Sequence, residues 1–219
     1  MLVRSSIETL SPRPAPISAL GGPIGLMGAP LPFGRNEEIY GENEPAEYLY
    51  KVISGTVRTY KVLSDGRRQI GGFYLAGDMF GLEVGDAHTF SAEAIVDSKV
   101  LVIKRSTVTA LAARDNAFAR QLLALTAAEL ARAQGHVMLL IKTAQERVAG
   151  FLLEMADRIQ VQNEVELPMS RQDIADYLGL TIETVSRTLT QLENSAAISL
   201  PTSRHIVLRN RSALHRLNS

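Results

Sequence analysis

Between Ser170 and Leu192 the chain reads Ser-Arg-Gln-Asp-Ile-Ala-Asp-Tyr-Leu-Gly-Leu-Thr-Ile-Glu-Thr-Val-Ser-Arg-Thr-Leu-Thr-Gln-Leu, two short amphipathic stretches broken at Gly179. Ser170 can cap a first helix whose Ile174, Ala175 and Leu178 share one face, and Gly179 ends it. Thr181 can cap a second helix, in which Val185, Leu189 and Leu192 recur at the four- and three-residue steps of a buried stripe. The spacing predicts a helix-turn-helix.

The second helix then turns Ile182, Glu183, Ser186 and Arg187 outward near its N-terminus, where such a helix meets base edges in a major groove. The side chains suit that task. Arg187 can donate in bidentate fashion to guanine, Glu183 can accept from the amino group of cytosine or adenine, and Ile182 can pack on a thymine methyl. On a plain surface helix the Glu183 and Arg187 pair would be worth only roughly a few tenths of a kcal/mol. The surroundings favour the first reading. Ile198 and Leu200 before Pro201, with Ile206 and Leu208 after it, predict a hairpin that makes the motif a winged helix. Upstream, Thr143 to Ile159 carries Val148, Phe151, Leu152, Met155 and Ile159 on one side and supplies a third helix. From Arg187 to the end, five arginines stand against the single acidic Glu193, an excess suited to phosphates.

The run from Ser170 to Arg187 resembles the DNA-binding segment of the Crp/Fnr superfamily, in particular its E-x-x-S-R branch, which includes the Fnr and FixK regulators. The likeness extends over most of the chain. It implies an α+β molecule with an N-terminal antiparallel β-roll, a long dimerisation helix and a C-terminal winged helix-turn-helix. It further implies a homodimer on double-stranded DNA at a palindromic TTG/CAA-type promoter site, with RNA polymerase as a partner. The expected base contacts are Ile182, Glu183, Ser186 and Arg187, and the expected phosphate contacts are Ser170, Arg171, Thr181, Thr184, Arg204 and His205. An aspartate at position 170 is expected to keep the cap and to weaken DNA binding by repulsion.

From Pro32 to Val102 the pattern changes to strands punctuated by glycine, clearest at Tyr48–Ile53, Gly55–Leu63, Arg67–Leu75 and Lys99–Ile103. Asp65-Gly66 predicts a tight hairpin with positive backbone dihedrals. The Tyr-Lys-Val-Ile-Ser-Gly-Thr-Val-Arg run is similar to the family's β-roll. Cyclic-nucleotide-binding members place a Gly-Glu pair on the ribose and follow it with an arginine for the phosphate. Here Gly77–Glu83 is followed by Asp86-Ala-His-Thr-Phe-Ser-Ala92, which lacks the arginine, so no cyclic nucleotide and no other cofactor is expected. A nucleotide-like effector or a haem in the roll is the alternative.

Ala117 to Ile141 is helical by composition. A heptad register sets Ala119, Thr126, Ala133 and Leu140 on one seam position and Leu123, Leu130 and Val137 on the other. Alone, this reads as a core helix of one subunit, and the resemblance makes it the dimer helix. The interface expected there is Leu123, Thr126, Leu130, Ala133, Val137 and Leu140.

Composition bounds the rest. At 219 residues there is room for two small domains with their own cores, and 46% apolar with 21% charged residues is ordinary globular usage. The net charge is zero, so the DNA reading rests on local distribution. With no cysteine, disulfides, iron-sulfur clusters and thiol nucleophiles are excluded, which departs from Fnr and its cluster and points to the FixK type. The four histidines have no spaced partner, and no metal site is expected. P-loop, G-x-S-x-G and H-E-x-x-H patterns are absent, so an enzyme is not expected. The uncharged run from Pro14 to Phe33 is cut by five prolines and four glycines, which no membrane helix survives, and a flexible or loosely packed arm is expected there rather than a signal peptide. The expected organisation is an arm at 1–31, a β-roll at 32–115, the dimer helix at 116–142 and the winged helix at 143–219, in a cytoplasmic protein. Gln160 to Glu164 is the loop expected to meet RNA polymerase.

Overall fold

Short runs rich in β-branched and aromatic residues, separated by glycine turns, become eight strands among the described residues of the N-terminal half. A computed structural model describes residues 27–83, 85–159 and 163–218. The strands are β1 (Ala29–Phe33), β2 (Glu38–Tyr40), β3 (Tyr48–Ser54), β4 (Thr56–Val62), β5 (Arg68–Leu75), β6 (Met79–Phe80), β7 (Ser91–Ala94) and β8 (Ser98–Lys104). They pair antiparallel in two four-stranded sheets, ordered β1-β8-β3-β6 and β2-β7-β4-β5. Tyr40, Tyr50, Val52, Val57, Phe80, Ala92 and Val100 are buried together in the roll.

Strand β1 begins at Ala29, paired with Val102, so the expected arm boundary after residue 31 falls inside a strand. The prolines that suggested an arm are compatible with an edge strand. Pro30 and Pro32 are two residues apart and put their missing donors on one side, which an edge can leave unpaired. The remainder of the expected arm, residues 1–26, lies outside the described residues. The hairpin at Asp65-Gly66 also differs in detail. Only Gly66 has a positive φ, +83°, and Leu63 N–H donates to the Arg67 carbonyl at 2.8 Å, the pattern of a three-residue loop ending on a left-handed glycine.

The second half is built from α1 (Arg105–Ala112), α2 (Asn116–Leu140), α3 (Ala144–Ile159), β9 (Glu164–Glu166), α4 (Arg171–Leu178), α5 (Ile182–Asn194), β10 (Ile198–Ser199), β11 (His205–Leu208) and α6 (Arg211–Asn218). Helix α2 starts where the Asp115 carboxylate accepts from the Ala117 and Phe118 N–H groups at 2.8 and 3.0 Å. Its Phe118 and Leu125 pack on Leu49, Met79, Leu101 and Ile103 of the roll. Its last turn meets α3 and α6 closely at Gly150, where an added Cβ would lie 2.8 Å from Leu139 and 2.7 Å from Asn218. Strands β10, β11 and β9 form a small third sheet.

The roll keeps buried clusters of its own, and the core of the winged helix reaches across into it. Phe151, Leu152, Ile174, Leu178, Val185, Leu189 and Leu192 form a buried cluster that also takes in Ile70, Phe73 and Ile95 of the roll. Phe73 sits with its ring centroid 6.2 Å from Phe151 and 5.2 Å from Tyr177. Burying an aromatic side chain across a boundary contributes on the order of 1.5–3 kcal/mol to the contact between the two halves.

Candidate nucleic-acid interface

Helix α4 begins with a complete capping box. Ser170 Oγ accepts from Asp173 N–H at 3.1 Å, and the Asp173 carboxylate accepts in return from Ser170 N–H at 3.0 Å. Ser170 Oγ also donates to the same Asp173 Oδ2 at 2.7 Å, a bond an aspartate at position 170 could not make. The helix ends at Gly179, whose φ of +61° is the left-handed conformation glycine adopts without a Cβ penalty. After Leu180 the Thr181 Oγ1 accepts from Thr184 N–H at 3.2 Å and starts α5.

Val185, Thr188, Leu189 and Leu192 are the buried stripe of α5, in agreement with the periodicity, and Ile182, Glu183 and Arg187 are exposed on the other side. Its own backbone N–H and the Thr181 hydroxyl hold the Glu183 carboxyl below the usual carboxylate range, so it stays an acceptor. Ser186 is half-buried, and Arg171 Nη1 reaches from α4 to its Oγ at 3.3 Å. Thr181 is exposed and Thr184 half-buried, with their hydroxyls 3.1 Å apart. The structure therefore brings Arg171, Thr181, Ile182, Glu183, Thr184, Ser186 and Arg187 to the start of one helix pair.

The wing hairpin forms as expected and gains a third strand. Ile198 pairs with Leu208 and Ser199 with Val207, so the hairpin forms, but its second strand also pairs with β9, as His205↔Glu166 and Ile206↔Val165. His205 Nε2 lies 3.4 Å from Glu164 Oε2, and Arg204 lines a 600 Å³ cavity between the roll and the winged helix, together with Thr56, Leu75 and Arg158. These two side chains thus face β9 and the cavity. Of the loop expected to meet RNA polymerase, residues 160–162 lie outside the described residues, and Glu164 begins β9.

Helix α2 has two faces. Phe118, Leu125 and Leu139 are buried. On the opposite side Leu123, Leu130 and Val137 are 69%, 59% and 62% exposed, at the seven-residue spacing of the expected seam. Thr126 and Ala133 are exposed with them, while Ala119 and Leu140 are half-buried. Met138 and Ile141, which the heptad reading left out, extend the apolar face.

In the β-roll, aromatic rings occupy the region beneath the Gly77–Glu83 loop. His88 is stacked on Tyr40 with centroids 3.6 Å apart, and Tyr50 stacks on Phe80 at 5.1 Å. Burial pushes the Tyr50 phenol up to about 12, so it stays protonated. Glu83, in the position the resemblance gives to the ribose, lies 3.4 Å from His88 Nδ1.

Sequence reasoning missed a set of charged residues joining the roll to the helix-turn-helix. Asp173 accepts from Arg58 of β4 and Arg68 of β5, each at 2.7 Å. Asp78, in the β5–β6 turn, accepts from Arg158 of α3 at 2.6 Å and lies 3.6 Å from Arg132 of α2. The partners are 80 to 115 residues apart in the chain, or 54 for the Arg132 contact, so no local pattern announces them.

A helix-turn-helix with a small wing sheet, a long helix with a free apolar seam and a β-roll together define a DNA-binding transcription regulator. The comparisons agree: the Crp-like helix-turn-helix domain matches residues 146–217, and the cyclic nucleotide-binding domain matches residues 30–115. The chain is 53% identical over 215 residues to the nitrogen fixation regulation protein FixK of Azorhizobium caulinodans, covering 95% of this chain and 84% of that protein. It is 43% identical to the FixK protein of Rhizobium meliloti, with 97% and 94% covered. The solved structure of FixK2 from Bradyrhizobium japonicum matches with a TM-score of 0.84 at 54% identity, covering 88% of this chain and 98% of that one. The chain belongs to the Crp/Fnr family of transcription regulators. Within that family it is of the FixK type. Among the described residues, no helix is long and apolar enough to cross a membrane.

Proposed function

We propose that the protein acts as a homodimer, paired through Leu123, Thr126, Leu130, Ala133, Val137 and Leu140 of α2, and binds a palindromic TTG/CAA-type promoter site. The observation that carries this reading is the exposed seam on α2, because its other face is already spent on the chain's own core. Two recognition helices can enter successive major grooves, about 34 Å apart, only if a rigid element holds two chains together. Glu183, Ser186 and Arg187 read bases, Ile182 packs on a thymine methyl, and Ser170, Arg171, Thr181 and Thr184 approach phosphates. Arg204 and His205 reach the backbone only if they turn away from the cavity and from Glu164.

The protein works as an activator that contacts RNA polymerase, with no small molecule in the roll. Stacked Tyr40, Tyr50, Phe80 and His88, with Glu83 turned toward His88, support the last point. Selection of bound duplexes from a random pool tests the whole reading. The expected product is a two-fold symmetric sequence with TTG and CAA halves one helical turn apart. Unrelated single sites, or no enrichment, would overturn it.

A further inference from the structure

Helices α2 and α3 are joined by Ile141–Thr143, outside both helices, so the orientation of the helix-turn-helix relative to the dimer seam is not fixed by a continuous helix. Across such a joint, relative motion of domains is the default unless an interface holds them. Helix α4 itself is met by the outer side of the β4–β5 hairpin as well as by His136 of α2, and the charged centre of the hairpin contact is a single carboxylate. Asp173 is 4% exposed. Its Oδ2 closes the capping box of α4 with Ser170, while its Oδ1 accepts from Arg58 Nη1 and Arg68 Nη2 at 2.7 Å each. Arg68 Nε also donates to Asp176 Oδ2 at 2.8 Å, one turn further along α4. Arg58, 8% exposed, is held from behind by Glu93 at 2.9 Å. Both guanidinium groups flank the Tyr60 ring at 5.9 Å from its centroid. Two planar forks from one rigid sheet thus grip the first turns of α4, at low exposure where such bonds are strong and directional.

This grip leaves the reading residues open. Ile182, Glu183 and Arg187 stay exposed on α5 while Asp173 and Asp176 face the roll. We infer that Arg58 and Arg68 are positioning residues for DNA recognition, acting through Asp173 and Asp176 to fix the pose of the reading head relative to the dimer helix. The inference rests on the paired-head reading of the function. It assigns to the roll a part that needs no ligand: a fixed bracket that presets the spacing of two heads.

Comparison of a full palindrome with a duplex carrying one half-site separates positioning from contact. A half-site reports what one head touches. The palindrome adds the gain from simultaneous engagement, about 10²–10⁴-fold when the geometry permits it and nothing when it does not. Arg68→Ala is the variant of choice, because Arg58 still neutralises Asp173. The expected result is loss of palindrome affinity by about tenfold or more, out of that gain, with half-site affinity and dimer mass unchanged. Arg68→Lys, which restores a positive charge to the two carboxylates without the planar fork, should recover only part of the loss. Thermal melts of both variants check that they are folded. Unchanged palindrome affinity in Arg68→Ala overturns the inference. So does a rise, which would make the grip inhibitory, or an equal fall on both duplexes, which would make Arg68 a fold or contact residue. If the unmodified protein binds DNA but gains nothing from a palindrome over a half-site, the paired-head reading itself falls, and the bracket with it.

Discussion

His136 of α2 lies flat on Tyr177 of α4, with ring centroids 3.9 Å apart and planes within 9°, and its Nε2 is 2.8 Å from the Tyr177 carbonyl oxygen. The dimer helix therefore touches the helix-turn-helix directly. A neutral imidazole protonated on Nε2 fits this site, donating to the carbonyl while its face covers the phenol. Burial pushes the His136 pKa down, against the smaller upward pulls of the Tyr177 carbonyl and Glu154.

A folded-state pKa below the unfolded one means that the unfolded chain binds the proton first as pH falls. The contribution of His136 is complete above the ordinary histidine value of about 6.5, and it is lost as pH drops below that toward the lowered value. The histidine-to-phenylalanine variant, His136→Phe, keeps a ring on Tyr177 and removes the titration. Thermal melts should show the wild type losing stability relative to this variant as pH falls below about 6.5, with a constant difference above about pH 7. Parallel curves over the whole range would remove His136 as a source of acid sensitivity.

Leu130 stands midway along the free seam of α2, 59% exposed in one chain. In the proposed dimer, Leu130→Lys places like charges opposite each other near the two-fold axis. The cost is on the order of several kcal/mol, because an apolar contact is lost and two ammonium groups are partly desolvated without counter-ions. The monomer fold should survive, since Leu130 is not among the buried core residues of α2. Light scattering should show half the mass and titrations should show loss of palindrome binding. A variant that keeps the dimer mass would place the interface elsewhere.

The helix-turn-helix and the seam were legible because their signals are local: a capping serine, a stopping glycine and apolar residues at helical steps. The four longest strands of the roll, β3, β4, β5 and β8, were legible for the same reason. What escaped the sequence is long-range. Nothing near Arg58 or Arg68 in the chain shows that each will meet Asp173, and Glu164–Glu166 is too short to read as a strand until it pairs with β11. Charge alone points the wing arginine and histidine at phosphates, whereas their direction depends on that pairing. Helix α6 escaped because its eight residues hold one buried side chain, Leu214, and its place is set by the close approach of Asn218 to Gly150.

Arg187 and Glu183 are exposed on the same face of α5 and should differ in effect when truncated. Loss of a bidentate guanine contact in Arg187→Ala should cost about 1–3 kcal/mol per half-site with the melting temperature unchanged. Glu183→Ala should instead relax the choice at one base pair while much of the affinity remains. Duplex selection with each variant measures both effects, and sequences identical to those of the parent would show that these residues are not base readers.

Ser170 is the residue for which the structure changes the expectation most. From the sequence, aspartate should cap α4 as well as serine does. In the structure the Ser170 hydroxyl both accepts from Asp173 N–H at 3.1 Å and donates to Asp173 Oδ2 at 2.7 Å. Ser170→Ala loses both bonds and should cost about 0.5–2 kcal/mol, the usual range for a lost cap. Ser170→Asp keeps the acceptor but sets a second carboxylate against the first, so one of the two should hold its proton to a higher pH than an isolated carboxyl. The sign follows from that raised folded-state pKa: the penalty is present above it and is relieved as pH falls. Urea melts should therefore find Ser170→Asp less stable than Ser170→Ala at about pH 7, with the gap closing toward about pH 4. A gap that stays constant, or an aspartate variant as stable as the wild type at neutral pH, would mean that Arg58 and Arg68 neutralise both carboxylates.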